Sequence, residues 1–78
     1  MRIDNARRVR ALAQEVVRLI DAATARAHRD REATNERYDR LGRDPLTDPP
    51  AIAYTPESSA LRRRSLDLTR ALAEMRKP

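Results

Sequence analysis

The chain has 78 residues, a formal net charge of +5 and no cysteine. This length allows one domain at most, and single hydrophobic cores below about 70–80 residues are usually only marginally stable. The absence of cysteine excludes a disulfide scaffold, a thiolate zinc site and a cysteine nucleophile. We therefore expect residues 1–78 to form a single domain that depends on self-association or on a partner for part of its stability.

The first predicted element is a long helix over residues 4 to 41. This stretch contains neither Pro nor Gly and is rich in Ala, Arg, Leu and Glu, which are good helix formers. We expect Asp4 to cap its first turn and Gly42 to end it in a left-handed conformation. Helical spacing predicts one broad apolar face in its first two-thirds. That face consists of Val9, Leu12, Ala13, Val16, Val17, Leu19, Ile20, Ala23 and Ala27.

The second predicted element is an extended linker over residues 43 to 55, which contains three prolines. Thirteen extended residues reach about 40 Å at ~3.1 Å each, so the linker can fold back along the charged last third of the first helix. We expect its apolar side chains to cover that part of the helix. The expected contacts join Leu46, Ile52 and Tyr54 to Tyr38 and Leu41.

The third predicted element is a second helix over about residues 56 to 76. Thr55-Pro56-Glu57 supplies a capping hydroxyl, a proline at the first helical position and an acid in the first turn. The spacing of the next residues predicts a heptad seam. The seam consists of Leu61, Ser65, Leu68, Leu72 and Met75, while Leu66 and Ala73 lie on a second side.

These elements predict an all-α fold in which the two helices form an antiparallel hairpin. One partner helix covers a narrower stripe than the apolar face of the first helix presents. We therefore expect a second copy to cover the remainder in a four-helix-bundle homodimer, with a different protein as the competing candidate. The residues expected in the core or in self-association are Val9, Leu12, Val16, Val17, Leu19, Ile20, Leu61, Leu66, Leu68, Leu72 and Met75.

No residue pattern indicates catalysis. The acidic residues have arginines three or four positions away, which is typical of ion pairs on a helix surface, and a single glycine cannot build a phosphate-binding loop. His28, Glu32 and Glu36 share one helix side at metal-ligand spacing, but Arg29 and Arg40 lie beside them. We interpret this row as a solvated surface and expect no enzymatic activity, metal, cofactor or small-molecule substrate.

Arginine placement is the one pattern that suggests a function. Arginine supplies 16 of the 17 basic residues, which together with 13 alanines is typical of high-GC coding. Arg7, Arg18, Arg29 and Arg40 recur every eleven residues, about 16 Å apart on the side opposite the apolar face. In an antiparallel hairpin, both chain ends would meet in one basic end, formed by Arg2, Arg7, Arg8, Arg10, Arg76 and Lys77.

Tyr54 leaves two alternatives open, since it either packs on its own helix or forms part of an exposed docking segment for another protein. The candidate contacts to a partner or to phosphate groups are Arg7, Arg8, Arg10, Arg18, Arg62, Arg63, Arg64 and Tyr54. Against phosphate binding, acidic residues interrupt the arginine stripe, and no aromatic residue is interleaved for base stacking.

These patterns favour a small non-enzymatic protein–protein interaction module that self-associates through the apolar face of the first helix. It would be an accessory or regulatory protein of a high-GC bacterium or its phage. The alternatives are a basic nucleic-acid-binding protein that uses phosphate contacts, and a small structural subunit of a virion or another large assembly. No apolar run approaches the ~18 residues of a membrane span, and no secretory signal is recognisable, so we expect a cytoplasmic protein, in the host cytoplasm if viral.

Overall fold

Two antiparallel helices make up the fold of this protein. The computed structural model describes residues 2–78, and the helices are α1, Ile3–Arg40, and α2, Pro56–Met75. They form a rod of 61 × 18 × 14 Å, and no strand occurs in the described range. The predicted all-α hairpin is therefore confirmed, and each helix boundary lies within one residue of its expected position.

The two ends of α1 differ in how they are capped. At the amino end the N-cap residue is Arg2, whose side chain makes no capping hydrogen bond. The prediction that Asp4 caps the helix is wrong, because the Ala6 N–H already donates to the Arg2 carbonyl and places Asp4 inside the first turn. There its charge still complements the positive end of the helix dipole.

The carboxyl end of α1 follows the prediction for Gly42. This glycine has a φ of 71°. Glycine adopts this left-handed conformation readily, whereas a Cβ would make it sterically unfavourable. The Arg43 N–H donates to the Tyr38 carbonyl at 2.8 Å, and the Gly42 N–H donates to the Asp39 carbonyl at 3.1 Å. These two bonds form a Schellman motif, which satisfies the last carbonyls and turns the chain back along α1.

The linker between the helices folds back along α1, as expected, but polar contacts hold it there. The Asn35 side chain donates to the Leu46 carbonyl at 3.3 Å and accepts from the Leu46 N–H at 2.9 Å. Arg31 donates to the Asp48 backbone carbonyl and lies 3.3 Å from the Asp48 carboxylate. These side chains supply partners for a proline-rich backbone that has few donors of its own.

The prediction that apolar side chains of the linker cover the last third of α1 is wrong. Leu41, Leu46 and Ile52 are exposed, and Tyr54 is 84% exposed. The hydrogen bonds from Asn35 and Arg31 hold the linker backbone, rather than its side chains, against the helix. The Arg43 guanidinium instead lies over the Tyr38 ring, 5.9 Å from its centroid.

The start of α2 is fixed by a capping box. The Thr55 hydroxyl accepts from the Ser58 N–H at 3.2 Å, and the Ser58 hydroxyl accepts from the Thr55 N–H at 2.9 Å. Pro56 occupies the first helical position and Glu57 lies in the first turn. The two hydroxyls accept hydrogen bonds from two backbone N–H groups that have no carbonyl partner within the helix. The predicted helix start is therefore confirmed.

Alanines form the centre of the contact between the helices. Ala23, Ala27 and Ala71 are the buried apolar residues of the described chain, and no large side chain in that range is fully buried. The rest of the helix contact is only partly buried, and it includes Val9, Leu12, Val16, Leu19, Leu61, Ser65, Leu68, Leu72 and Met75. A single hairpin therefore leaves its large aliphatic side chains half covered.

Candidate interaction surfaces

The first candidate surface is the uncovered part of the α1 apolar face. Val17 is 56% exposed and Ile20 is 43% exposed, whereas Val16, which lies about 40° from Ile20 on the side toward α2, is partly buried. Ala13 and Thr24 continue the same line at helical spacing. We call these four residues, Ala13, Val17, Ile20 and Thr24, the free face of α1.

Two of the residues expected in the core or in self-association lie outside the free face of α1. Leu19 is partly buried and lines a groove with Ala60 and Arg64 of α2, so it belongs to the contact within the hairpin. Leu66 is 55% exposed, because it lies on the side of α2 that faces away from α1. The seam residues of α2 pack instead toward α1, as the heptad spacing predicts.

Ion pairs join the helices on one side of the hairpin. The Arg64 side chain donates to Glu15 at 2.8 Å and to Asp67 at 3.2 Å, and its pKa is raised chiefly by the charge of Glu15. Arg64 was a candidate partner contact, but this geometry assigns it to the antiparallel packing. The sequence could not indicate this role, because Glu15 lies 49 residues away.

A second cross-helix pair joins Arg26 to Glu57 at 3.5 Å. The backbone N–H of Glu57 and the charge of Arg26 lower the pKa of the Glu57 carboxyl. Solvent-accessible pairs of this kind add little to stability. Both cross-helix pairs join positions far apart in the sequence, 31 residues for Arg26–Glu57 and 49 residues for Arg64–Glu15.

The second candidate surface surrounds Tyr54. The Arg62 guanidinium lies over the Tyr54 ring, 5.6 Å from its centroid. Tyr54, Arg62 and Leu66 line one shallow groove together with Ser59 and Arg63. We call these five residues the Tyr54 patch. The exposure of Tyr54 favours the docking-segment alternative over packing on its own helix.

Tyr54→Ala is expected to change the free energy of unfolding by no more than about 0.5–1 kcal/mol, the size of an exposed cation–π contact. The reason is that little of the ring is removed from water in the folded protein. Thermal unfolding followed by circular dichroism measures the change, with the partly buried Tyr38 replaced by Ala as the control. A loss of several kcal/mol would contradict the exposed position of Tyr54.

The third candidate surface is the basic end. Antiparallel packing brings the start of α1 beside the end of α2, where Asn5, Arg8, Arg70 and Glu74 line a cleft of about 410 Å³. The basic residues of this end are all exposed, and they are Arg2, Arg7, Arg8, Arg10, Arg70, Arg76 and Lys77. The sequence alone does not indicate that Arg70 belongs to this end, because only the antiparallel register brings Arg70 level with Arg8.

Other singled-out residues lie outside these surfaces. His28, Glu32 and Glu36 are exposed, Glu36 lies 4.0 Å from Arg40, and the described residues contain no group of three possible metal ligands. Arg18 is exposed near the middle of α1, away from the basic end. No chemical function follows from either position.

Comparison with protein-family models, curated proteins and solved structures finds no match to this chain. Neither of the two helices described for residues 2–78 combines the length and the apolar character that crossing a membrane requires.

Proposed function

We propose that this protein is a non-enzymatic protein–protein interaction module that self-associates through the free face of α1. The observation that carries the proposal is the exposure of Val17 and Ile20 beside a core in which, among residues 2–78, alanines alone are buried. Fully burying a large aliphatic side chain contributes roughly 1.5–3 kcal/mol. Covering both residues in each copy would therefore increase the stability of a hairpin that is only marginally stable alone.

Charge placement supports a second copy as the occupant of this face. Arg10 and Asp21 flank the face, are both exposed, and have no oppositely charged partner within 4.0 Å in the described chain. An antiparallel pair centred between residues 15 and 16 would place each Arg10 level with Asp21 of the other copy. Two-fold symmetry repeats this complementary contact, and the small side chain of Ala13 leaves room near Val17.

The Tyr54 patch supports contact with another protein. Tyr and Arg are enriched among residues that dominate binding energy at protein interfaces, and here Tyr54 and Arg62 stand together in solvent. Leu66 lies on the outer side of α2, away from the free face of α1. A partner could therefore bind while two copies remain associated, as an accessory protein or a subunit of a larger assembly requires.

Light scattering at tens of micromolar tests the self-association. The unmodified protein is expected to show twice the 9.0 kDa mass of the chain, whereas the double substitution Val17→Glu/Ile20→Glu should give the monomer mass. Each glutamate would have to bury an unpaired charge in the dimer. In the monomer both side chains stay in water, so circular dichroism should still show a helical hairpin.

Two controls define the result. Ala11→Glu/Ala22→Glu adds the same charge at exposed positions of α1 outside the free face, and this variant should remain dimeric. The charge-swapped variant R10D/D21R preserves the complementary pair and should also remain dimeric. An unmodified protein that is a monodisperse monomer and still melts cooperatively would refute the self-association.

A further inference from the structure

The net charge of the chain is concentrated at one end of the rod. Residues 2–10 contain four basic and one acidic residue, and residues 70–77 contain three basic and one acidic residue. These two segments together account for the whole net charge of +5, because residues 11–69 contain ten basic and ten acidic residues. Antiparallel packing places the charged segments side by side.

In the part of the chain that the structure describes, the arginines of the basic end also lack a carboxylate partner within 4.0 Å. Between residues 11 and 69, four arginines lie within 4.0 Å of a carboxylate, and they are Arg26, Arg31, Arg40 and Arg64. At the basic end, within the described residues, only Lys77 has such a partner, Glu74 at 3.1 Å. The six arginines there expose their guanidinium groups without a neutralising carboxylate.

Three of these arginines extend around the exposed surface of α1. Arg7, Arg8 and Arg10 spread over an arc of about 160° at 100° per residue. Arg7 and Arg10 lie on the side away from α2, and Arg8 lies at the edge of the cleft that Arg70 of α2 also lines. All three side chains are exposed, so a ligand can reach them without displacing α2.

We propose that the basic end binds the phosphate backbone of duplex nucleic acid without reading its sequence. A duplex carries one negative charge per ~1.7 Å of its axis, and the planar guanidinium suits phosphate oxygens. A continuous polyanion engages unpaired arginines on several sides of a helix, whereas a folded acidic protein would need carboxylates placed to match. Neither tyrosine lies at this end, so single strands gain no base stacking there.

This binding is a function beyond self-association, since Arg7 and Arg8 lie outside the free face of α1 and outside the proposed Arg10–Asp21 contact. Fluorescence anisotropy with a labelled DNA duplex of about 20 base pairs, over about 50–200 mM salt, tests it. The unmodified protein is expected to bind with micromolar affinity at the low-salt end, and log affinity should fall linearly with log salt. Arg7→Glu/Arg8→Glu should lower affinity at least tenfold and reduce the salt slope by roughly 0.9 per lost contact.

The matched control is Arg29→Glu/Arg37→Glu, which reverses the same number of charges. Both control arginines are exposed in the neutral part of α1 and lack a carboxylate partner within 4.0 Å in the described chain. This variant should lose clearly less affinity than the basic-end variant. Circular dichroism and light scattering should show that both variants keep the helical content and the mass of the unmodified protein.

Two results would overturn the proposal. Equal losses in the two variants would mean that overall charge, rather than the basic end, attracts DNA. Absence of duplex binding would also refute it, and saturable binding to poly-L-glutamate that is lost in R7E/R8E would then assign the basic end to a carboxylate partner. Light scattering tests self-association separately. A negative result in the duplex-binding experiment would therefore not count against the proposed interaction module.

Discussion

Ala23→Leu is expected to destabilise the hairpin by about 1–3 kcal/mol, the usual cost of overpacking a close contact. Ala23 is only 2% exposed where α1 meets α2. Three additional carbon atoms at this position have no space unless the helices separate. Separation would uncover the partly buried seam, including Leu68 and Leu72. For a domain of this size, each kcal/mol lowers the thermal midpoint by about 4–8 °C.

The control for this prediction is the adjacent residue. Ala22 is exposed, so Ala22→Leu should change stability by less than about 0.5 kcal/mol. Both variants have to be melted at the same protein concentration, because self-association makes the midpoint depend on concentration. Equal midpoints for the two variants would show that α1 and α2 do not meet closely at Ala23.

Thr55→Ala is expected to cost about 1 kcal/mol, within the 0.5–2 kcal/mol range for a lost N-cap. The substitution removes the hydroxyl that accepts the Ser58 N–H. Since most helical stability in proteins comes from tertiary packing, and α2 contributes one buried residue, Ala71, in the described chain, fraying of its first turn should spread. Thermal unfolding measures the loss, and amide exchange should accelerate in residues 57–59.

Thr69→Ala provides the matched control in the same helix. The Thr69 hydroxyl donates to the Ser65 carbonyl, whose backbone bond in the helix does not depend on it. Alanine has the higher helix propensity, so this change should be neutral or slightly stabilising. If both substitutions lowered the midpoint equally, the capping box would not be the reason for the loss at Thr55.

The two proposed surfaces would cooperate in the associated protein. In an antiparallel pair centred between residues 15 and 16, the two copies of Arg7 lie about 26 Å apart along the helix axes, at 1.5 Å per residue. One duplex long enough to reach both basic ends would bind them together, and the second contact would form at a high effective concentration. Dissociating the dimer should therefore weaken duplex binding without touching an arginine.

The sequence by itself determined the two helices and their boundaries. The signals are local, because a long stretch free of Pro and Gly permits α1, the positive φ of Gly42 ends it, and Thr55-Pro56 starts α2. Heptad spacing also identified the side of α2 that packs on α1. Each of these features is decided within a few residues of chain, so no knowledge of distant contacts is needed.

Only the tertiary structure decided which part of the broad α1 face remains free. The periodicity placed Val16, Val17 and Ile20 on one face, and packing covered Val16 more than the other two. The rotation of α1 against α2 depends on where small side chains allow the closest approach, which here is at Ala23 and Ala71. That choice depends on pairs of residues about fifty positions apart, and spacing within one helix contains no information about it.

Polar contacts between residues far apart in the sequence determined the path of the linker, the exposure of Tyr54 and the role of Arg64. Asn35 and Arg31 bind the linker backbone, which leaves the Tyr54 ring in solvent under Arg62. Glu15 engages Arg64, a residue that its sequence neighbours mark only as part of a basic cluster. In each case the partner is chosen by proximity in the folded hairpin, because a hydrogen bond or ion pair requires a distance of about 3–4 Å that only the packed helices provide.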